Sequence, residues 1–211
     1  MKLLYTPIRQ YVHTVEAVIN YAGLRGQVEP VPTRPFEPDT LLGTINPIGK
    51  VPTLVLDDGE YLAGGPVIYE YLDSLHERRP LHPPAGRRRY TVLRQAWMAD
   101  ALFDQLVLLI VEGWLYRDAQ RRDHIGRCWS KVTGILDQME MDSGGYAELD
   151  IGQVRGVGAL TFMDLKMRQV GEEVEGMDGA YDWRAGRPGL SAWFAHLSGD
   201  PVFREPLLPW D

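Results

Sequence analysis

The stretch Asn46-Pro47-Ile48-Gly49-Lys50-Val51-Pro52-Thr53-Leu54 carries the residues whose order says most about chemistry. A turn is followed by a Val-Pro step that leads straight into β-prone residues. Proline has no N–H and does not sit centrally in a sheet ladder, so here it suggests a tight connection, cis or trans. A cis bond would turn the backbone N–H and C=O of Val51 outward from the sheet. Those two groups could then pair with an extended peptide, in the manner of strand addition. A second candidate is Ala63-Gly64-Gly65-Pro66, which opens a helical pattern. A helix N-terminus presents unpaired N–H groups and positive potential to a carboxylate. Gly65 lets a ligand approach the backbone closely, and Pro66 falls in the first turn, where its missing N–H costs little.

Other reactive side chains point elsewhere. Cys128 is the single cysteine, so neither an internal disulfide nor a Cys-x-x-Cys pair is available. This fits a reducing compartment. Cys128 lies among Trp129, Val132, Ile135 and Leu136 in a helical pattern and reads as a small buried hydrophobe. Asp100 and Asp104, four apart, read as solvated carboxylates. His13 reads as an exposed helical residue, and Arg87-Arg88-Arg89 as the solvated start of a helix. No metal site is expected.

The elements that must hold these residues follow from periodicity. Leu3 to Tyr5 is a short apolar strand, and Val12, Val15, Val18, Ile19 and Ala22 mark one face of a helix that Gly23 can stop. Gln27 to Val31 reads as a second strand, and the four prolines from Pro30 to Pro38 as irregular structure. Thr53 to Leu56 and Glu60 to Leu62 flank the Asp57-Asp58-Gly59 turn signal, and a helix follows from Val67 to Leu75. The order is βαβ then ββα, the thioredoxin layout. His76 to Gly86 is rich in Pro and Arg and reads as a linker. Beyond Tyr90 everything reads as helical, with apolar stripes through Leu93–Ile110 and Ile125–Met139 and further helices over Val154–Met167 and Leu190–Leu197. The expected fold is α/β plus all-α. A thioredoxin-like domain spans residues 1–77, a linker 78–88 and a helical bundle domain 89–211.

The segment from Asn46 through Asp58-Gly59-Glu60 to Val67-Ile68 and Glu70-Tyr71-Leu72-Asp73 resembles the glutathione-site signature of the glutathione S-transferase superfamily, in its bacterial form. The likeness extends to Asp150-Ile151-Gly152-Gln153, where the superfamily has an N-capping box. Asp150 can cap a helix there and Gln153 can bond back to the cap N–H. Pro188-Gly189-Leu190 and Asp200-Pro201-Val202-Phe203 look like its last helices. The resemblance implies that Val51 and Pro52 hold the cysteinyl part of glutathione through the backbone and that Lys50 contributes a side chain. It implies that Gly64 and Gly65 receive the γ-glutamyl carboxylate.

Two positions depart from that pattern. Most relatives carry an acidic residue and then Ser where this chain has Gly64-Gly65, so a hydroxyl is missing. On that reading Gly65→Ser should tighten glutathione binding by about 1 kcal/mol, one net hydrogen bond. The second is the catalytic region, where a donor must hold the glutathione sulfur as thiolate, the form that attacks. Many bacterial relatives place a catalytic Ser at the position of Arg9, and cysteine-type relatives a Cys at that of Gln10. The spacing of Tyr5-Thr6-Pro7-Ile8-Arg9 instead matches Tyr-type transferases. Tyr5 then donates to the sulfur, Arg9 adds positive potential favouring the thiolate, and Thr6 and Tyr11 are lesser candidates.

Composition sets the outer limits. With 45% hydrophobic and 24% charged residues the 211-residue chain can bury a sizeable core. A net charge of -7 argues against a general nucleic-acid or anionic-membrane binder. The longest apolar run, Leu106 to Val111, is far short of the roughly 18 residues of a spanning helix. No secretory signal is visible. The expected protein is a cytoplasmic, homodimeric glutathione S-transferase-like enzyme. Glutathione is its co-substrate and a small hydrophobic electrophile its second substrate, with detoxification as the role. The rival is a non-catalytic binding or adaptor protein on the same fold. Trp97, Trp114, Tyr116 and Trp129 read as core aromatics rather than cleft lining.

Overall fold

A computed structural model describes residues 1–6, 9–35, 37, 41–145 and 148–204, apart from the side chains of residues 9–11. The chain forms two compact units. One holds Met1–Pro84 together with the segment from Gly199 on, and the other holds Ala85–Ser198.

The first unit is built on strands β1 (Lys2–Tyr5), β2 (Glu29–Pro32), β3 (Thr53–Val55) and β4 (Tyr61–Ala63), in the order β2-β1-β3-β4. β1 runs parallel to β2 and antiparallel to β3, and β3 is antiparallel to β4. Three helices complete the main body: α1 (Arg9–Ala22), α2 (Leu41–Ile45) and α3 (Gly65–Asp73). The apolar stripe expected on α1 is the buried one: Val12, Val15, Val18 and Ile19 are inaccessible, and Gly23 follows at φ 72°.

Pro30 and Pro32 lie within β2 rather than in irregular structure. The reason is the edge position. β2 pairs with β1 alone, and the N–H groups of Glu29 and Thr33 donate to Met1 and Tyr5. The alternate residues, both prolines, turn their missing N–H toward the open edge. An edge strand tolerates proline there and is protected by it.

His13 is also placed differently from expectation. It is 8% exposed and stacks on Phe203, with ring centroids 5.9 Å apart. The cause is the short helix α8 (Pro201–Arg204), which returns to α1 after the whole helical unit. Asn20 fixes that return by donating from Nδ2 to the Val202 carbonyl at 3.0 Å. The helical domain expected over 89–211 therefore gives up its C-terminal segment to the first unit.

The second unit contains α4 (Arg87–Leu115), α5 (Arg122–Asp142), α6 (Ile151–Glu173) and α7 (Pro188–Leu197). α6 packs along α4 and is buried on nearly all sides over its first half, as an all-round apolar helix requires. Asp150 caps it, accepting from the Gln153 N–H at 3.1 Å. Among the described residues the Gln153 side chain makes other bonds than the expected return to the cap N–H: it donates to the Glu148 carbonyl, and its Oε1 accepts from Trp193 Nε1. On α4 the buried face runs through Val92, Ala96, Ala99, Leu102, Leu106 and Leu109. Trp97 and Trp114 stand outside it, 67% and 64% exposed, and Tyr116 is 43% exposed, so these three are not core aromatics. Asp100 pairs with Arg155, so it is not merely solvated. Cys128 is buried as expected, and burial pushes its thiol up from the ordinary value.

Candidate active site

The sheet register gathers the candidate residues at one end. Leu4 faces Thr53 across β1 and β3, and Thr53 faces Ala63 across β3 and β4. One residue further along each strand are Tyr5, Pro52 and Gly64, and one beyond those are Thr6, Val51 and Gly65. The end of β1, the entry to β3 and the start of α3 thus share one rim of the sheet.

The middle segment of that rim is organised by Asn46, whose role the sequence did not reveal. Asn46 is 1% exposed. Its Oδ1 accepts from the Ile48 N–H at 3.0 Å, and its Nδ2 donates to the Lys50 carbonyl at 3.2 Å and to Thr53 Oγ1 at 2.9 Å. Thr53 Oγ1 itself donates to the Lys50 carbonyl at 2.9 Å. The turn closes with Gly49 N–H on the Asn46 carbonyl, Gly49 taking φ 65°. This side-chain scaffold consumes the Lys50 carbonyl and leaves the next residue to the surface. Val51 is half-buried, its bond to Pro52 is cis, and among the described residues neither its N–H nor its C=O is hydrogen-bonded. The Lys50 side chain is exposed.

At the third segment Gly64 is the N-cap of α3, at φ 91°, and makes no side-chain cap hydrogen bond. Pro66 sits in the first turn. The space beside Gly65 is already filled. A Cβ built on Gly65 would lie 2.6 Å from Tyr69 Oη and 2.8 Å from Tyr69 Cζ. Tyr69 is 7% exposed, so its ring has little room to yield. Gly65→Ser on its own therefore displaces a packed aromatic, and the gain in binding expected of it from the sequence does not follow.

The catalytic candidates are not equivalently placed. Tyr5 is wholly buried at the end of β1, while Thr6, the next residue, is half-buried at the rim. Arg9 opens α1, and its side chain, like that of Tyr11, lies outside the described residues. Among the described residues no three His, Cys, Asp or Glu side chains are grouped to hold a metal ion.

This arrangement has known counterparts. The model of the glutathione S-transferase N-terminal domain matches residues 9–75. The chain superposes with a TM-score of 0.83 and 28% identity on a glutathione transferase family member from Pseudomonas fluorescens Pf-5, covering 96% of both chains; that protein was crystallised with bound glutathione. The chain carries a glutathione S-transferase N-terminal domain. Two curated relatives match over a shorter range. One is the uncharacterized GST-like protein YibF of Escherichia coli (strain K12), 27% identical over 106 residues, or 50% of this chain and 52% of that one. The other is maleylacetoacetate isomerase of Pseudomonas aeruginosa, 30% identical over 104 residues, or 47% and 49%. The chain spans about half the length of these curated relatives. The domain match opens at Arg9, so Tyr5 and Thr6 fall outside it and their roles rest on geometry.

Proposed function

We propose that this chain binds glutathione along the rim formed by Thr6, Lys50-Val51-Pro52 and Gly64-Gly65, and conjugates it through its thiolate sulfur to a small hydrophobic electrophile. The observation that carries this reading is the backbone of Val51, whose N–H and C=O are not hydrogen-bonded among the described residues, set between the end of β1 and the uncapped start of α3. An extended tripeptide fits such a row. Its cysteinyl backbone pairs with the Val51 N–H and C=O, and its γ-glutamyl carboxylate meets the α3 N–H groups. The sulfur then lies toward the end of β1. The work of the protein is to position the thiol and hold it as thiolate. Thr6 is the first choice for that donor, ahead of the buried Tyr5, with Arg9 supplying positive potential.

Calorimetric titration with glutathione tests the site: millimolar glutathione that gives neither heat nor a shift in melting temperature removes the reading. For the chemistry, Thr6→Val should slow conjugation about tenfold at pH 7, one hydrogen bond to a developing thiolate. The effect should shrink by pH 9, because a free thiol of pKa about 8.5 ionises unaided there. Tyr5→Phe should leave the profile within about twofold of wild type, since a fully buried ring acts through packing. A larger effect at Tyr5 than at Thr6 would reverse the assignment. The burial of Tyr5 also favours one rival, a non-catalytic binding or adaptor protein. Glutathione binding with no turnover of a panel of electrophiles would select it.

The reading extends to a cytoplasmic homodimer with a two-fold axis. The lone buried Cys128 agrees with a reducing compartment. Among the described residues no helix is long and apolar enough to cross a membrane. Support for a second copy comes from α4, where Tyr90 and Trp97 lie seven apart, on one helical face, and are 72% and 67% exposed. Such a face suits an isologous interface. Light scattering at micromolar concentration should give twice the 23.9 kDa chain mass; a monomer mass would refute the dimer.

A further inference from the structure

Gly64-Gly65 looks at first like a binding site that has lost its polar side chain, but the structure shows what the missing Cβ makes room for. Tyr69 follows Gly65 by four residues on α3, so its side chain leans back over the first turn of the helix. Its Oη and Cζ occupy the volume in which any side chain at residue 65 would begin, 2.6 and 2.8 Å from the Cβ position. The ring is more than nine-tenths buried and therefore held in that orientation. The first turn itself carries no side-chain cap, and Pro66 removes one of its N–H donors.

We propose that Tyr69 is a positioning and specificity residue of the carboxylate end of the glutathione site: its hydroxyl supplies, from the next turn of α3, the donor that residue 65 lacks. The inference rests on the glutathione reading given above. A phenol O–H is a hydrogen-bond donor. A hydrogen bond from it to a carboxylate is charge-assisted and stronger than a neutral one. Because the ring is rigid and already packed, little rotamer freedom is lost when the ligand arrives. The glycine is then a requirement of the phenol, since a Cβ at residue 65 would push the hydroxyl away.

Calorimetry on the full chain with two ligands tests this: glutathione, and its analogue γ-aminobutyryl-cysteinyl-glycine, which lacks only the γ-glutamyl carboxylate. Tyr69→Phe should weaken glutathione binding about tenfold, within the range for a hydrogen bond to a charged group. The analogue should bind wild type weakly and be indifferent to Tyr69→Phe. Gly65→Ser combined with Tyr69→Leu moves a hydroxyl back to residue 65 and should recover most of the loss, a rescue that a purely packing role would not give. It also serves if Tyr69→Phe melts too low to titrate. Wild type that binds glutathione with the same affinity as Tyr69→Phe overturns the role of Tyr69 and leaves the glutathione site standing. The same holds if the variant weakens both ligands equally. Wild type that binds neither ligand overturns both.

Discussion

Asp73→Ala should lower the unfolding free energy by about 3 kcal/mol, and the loss should fade in acid. Asp73 ends α3, is 5% exposed, and gathers the chain that leaves the first unit. Its Oδ1 accepts from the Leu81 N–H at 2.8 Å and lies 3.1 Å from His76 Nε2; its Oδ2 accepts from the His82 N–H at 2.8 Å and lies 2.9 Å from His82 Nδ1. Leu81 and His82 are themselves buried. Alanine leaves two buried N–H donors without acceptors, at about 1–3 kcal/mol each. Burial pushes the Asp73 carboxyl up, but the hydrogen bonds from the His82 ring and from the Leu81 and His82 N–H groups outweigh it. They hold the group below its ordinary 3.8. A carboxyl whose folded value is depressed contributes stability above its unfolded value and loses it as pH falls through the folded one. The gap between wild type and variant should thus be full at pH 7 and narrow below about pH 4. Urea unfolding followed by far-UV circular dichroism at both pH values measures it. A variant within 1 kcal/mol of wild type at pH 7 would sink the account, as would a gap that persists unchanged in acid.

Gly171→Ala should be at least as damaging, for a purely steric reason. Gly171 lies near the end of α6, where the chain folds back through Gly179. A Cβ on Gly171 would stand 2.1 Å from the Gly179 N and 2.2 Å from its Cα. These are backbone atoms, so no rotamer change relieves the overlap, and either α6 or the turn that Tyr181 N–H closes on the Asp178 carbonyl must move. Overpacking of this kind costs about 1–3 kcal/mol, and more when the backbone must shift; about 3 kcal/mol or more is expected here. Gly179→Ala is the internal control. Its Cβ would meet the Arg168 carbonyl at 3.3 Å and the Gly171 Cα at 3.4 Å, tight but tolerable, and it should cost under about 1 kcal/mol. Thermal melting of the two variants side by side decides the matter. Similar melting temperatures for both would mean that the two backbones are not packed as described.

The parts of this protein that could be read from residue order are those where local chemistry and periodicity agree. The 46–74 segment is legible because a turn signal, a proline step, an Asp57-Asp58-Gly59 hairpin and a helical stripe succeed one another at fixed spacing. What stayed hidden depends on contacts distant in sequence. α2, five residues including a glycine and a threonine, is too short to show a period. The prolines of β2 are admissible only because the strand is an edge, which is a fact of topology. His13 looked exposed because the helix that covers it lies nearly the whole chain away. The candidate site divides the same way. The Val51 backbone and the uncapped α3 start were foreseeable from local order. The scaffold around Asn46, the burial of Tyr5 and the occupation of the Gly65 space by Tyr69 are packing facts with no periodic signal.

The return of α8 onto α1 has a consequence for how the molecule is made. Synthesis is vectorial, and domains usually fold in the order in which they emerge, at roughly 5–20 residues per second. Here the first unit emerges first but is finished last, since Val202 and Phe203 reach Asn20 and His13 only after all of Ala85–Ser198 has been translated. At those rates the sheet and its helices wait about 6 to 24 s with the α8 side of α1 uncovered. A nascent chain stalled at Ser198 would therefore carry a complete helical unit beside an incomplete sheet unit, and limited proteolysis of such a chain should cut within the earlier-made half.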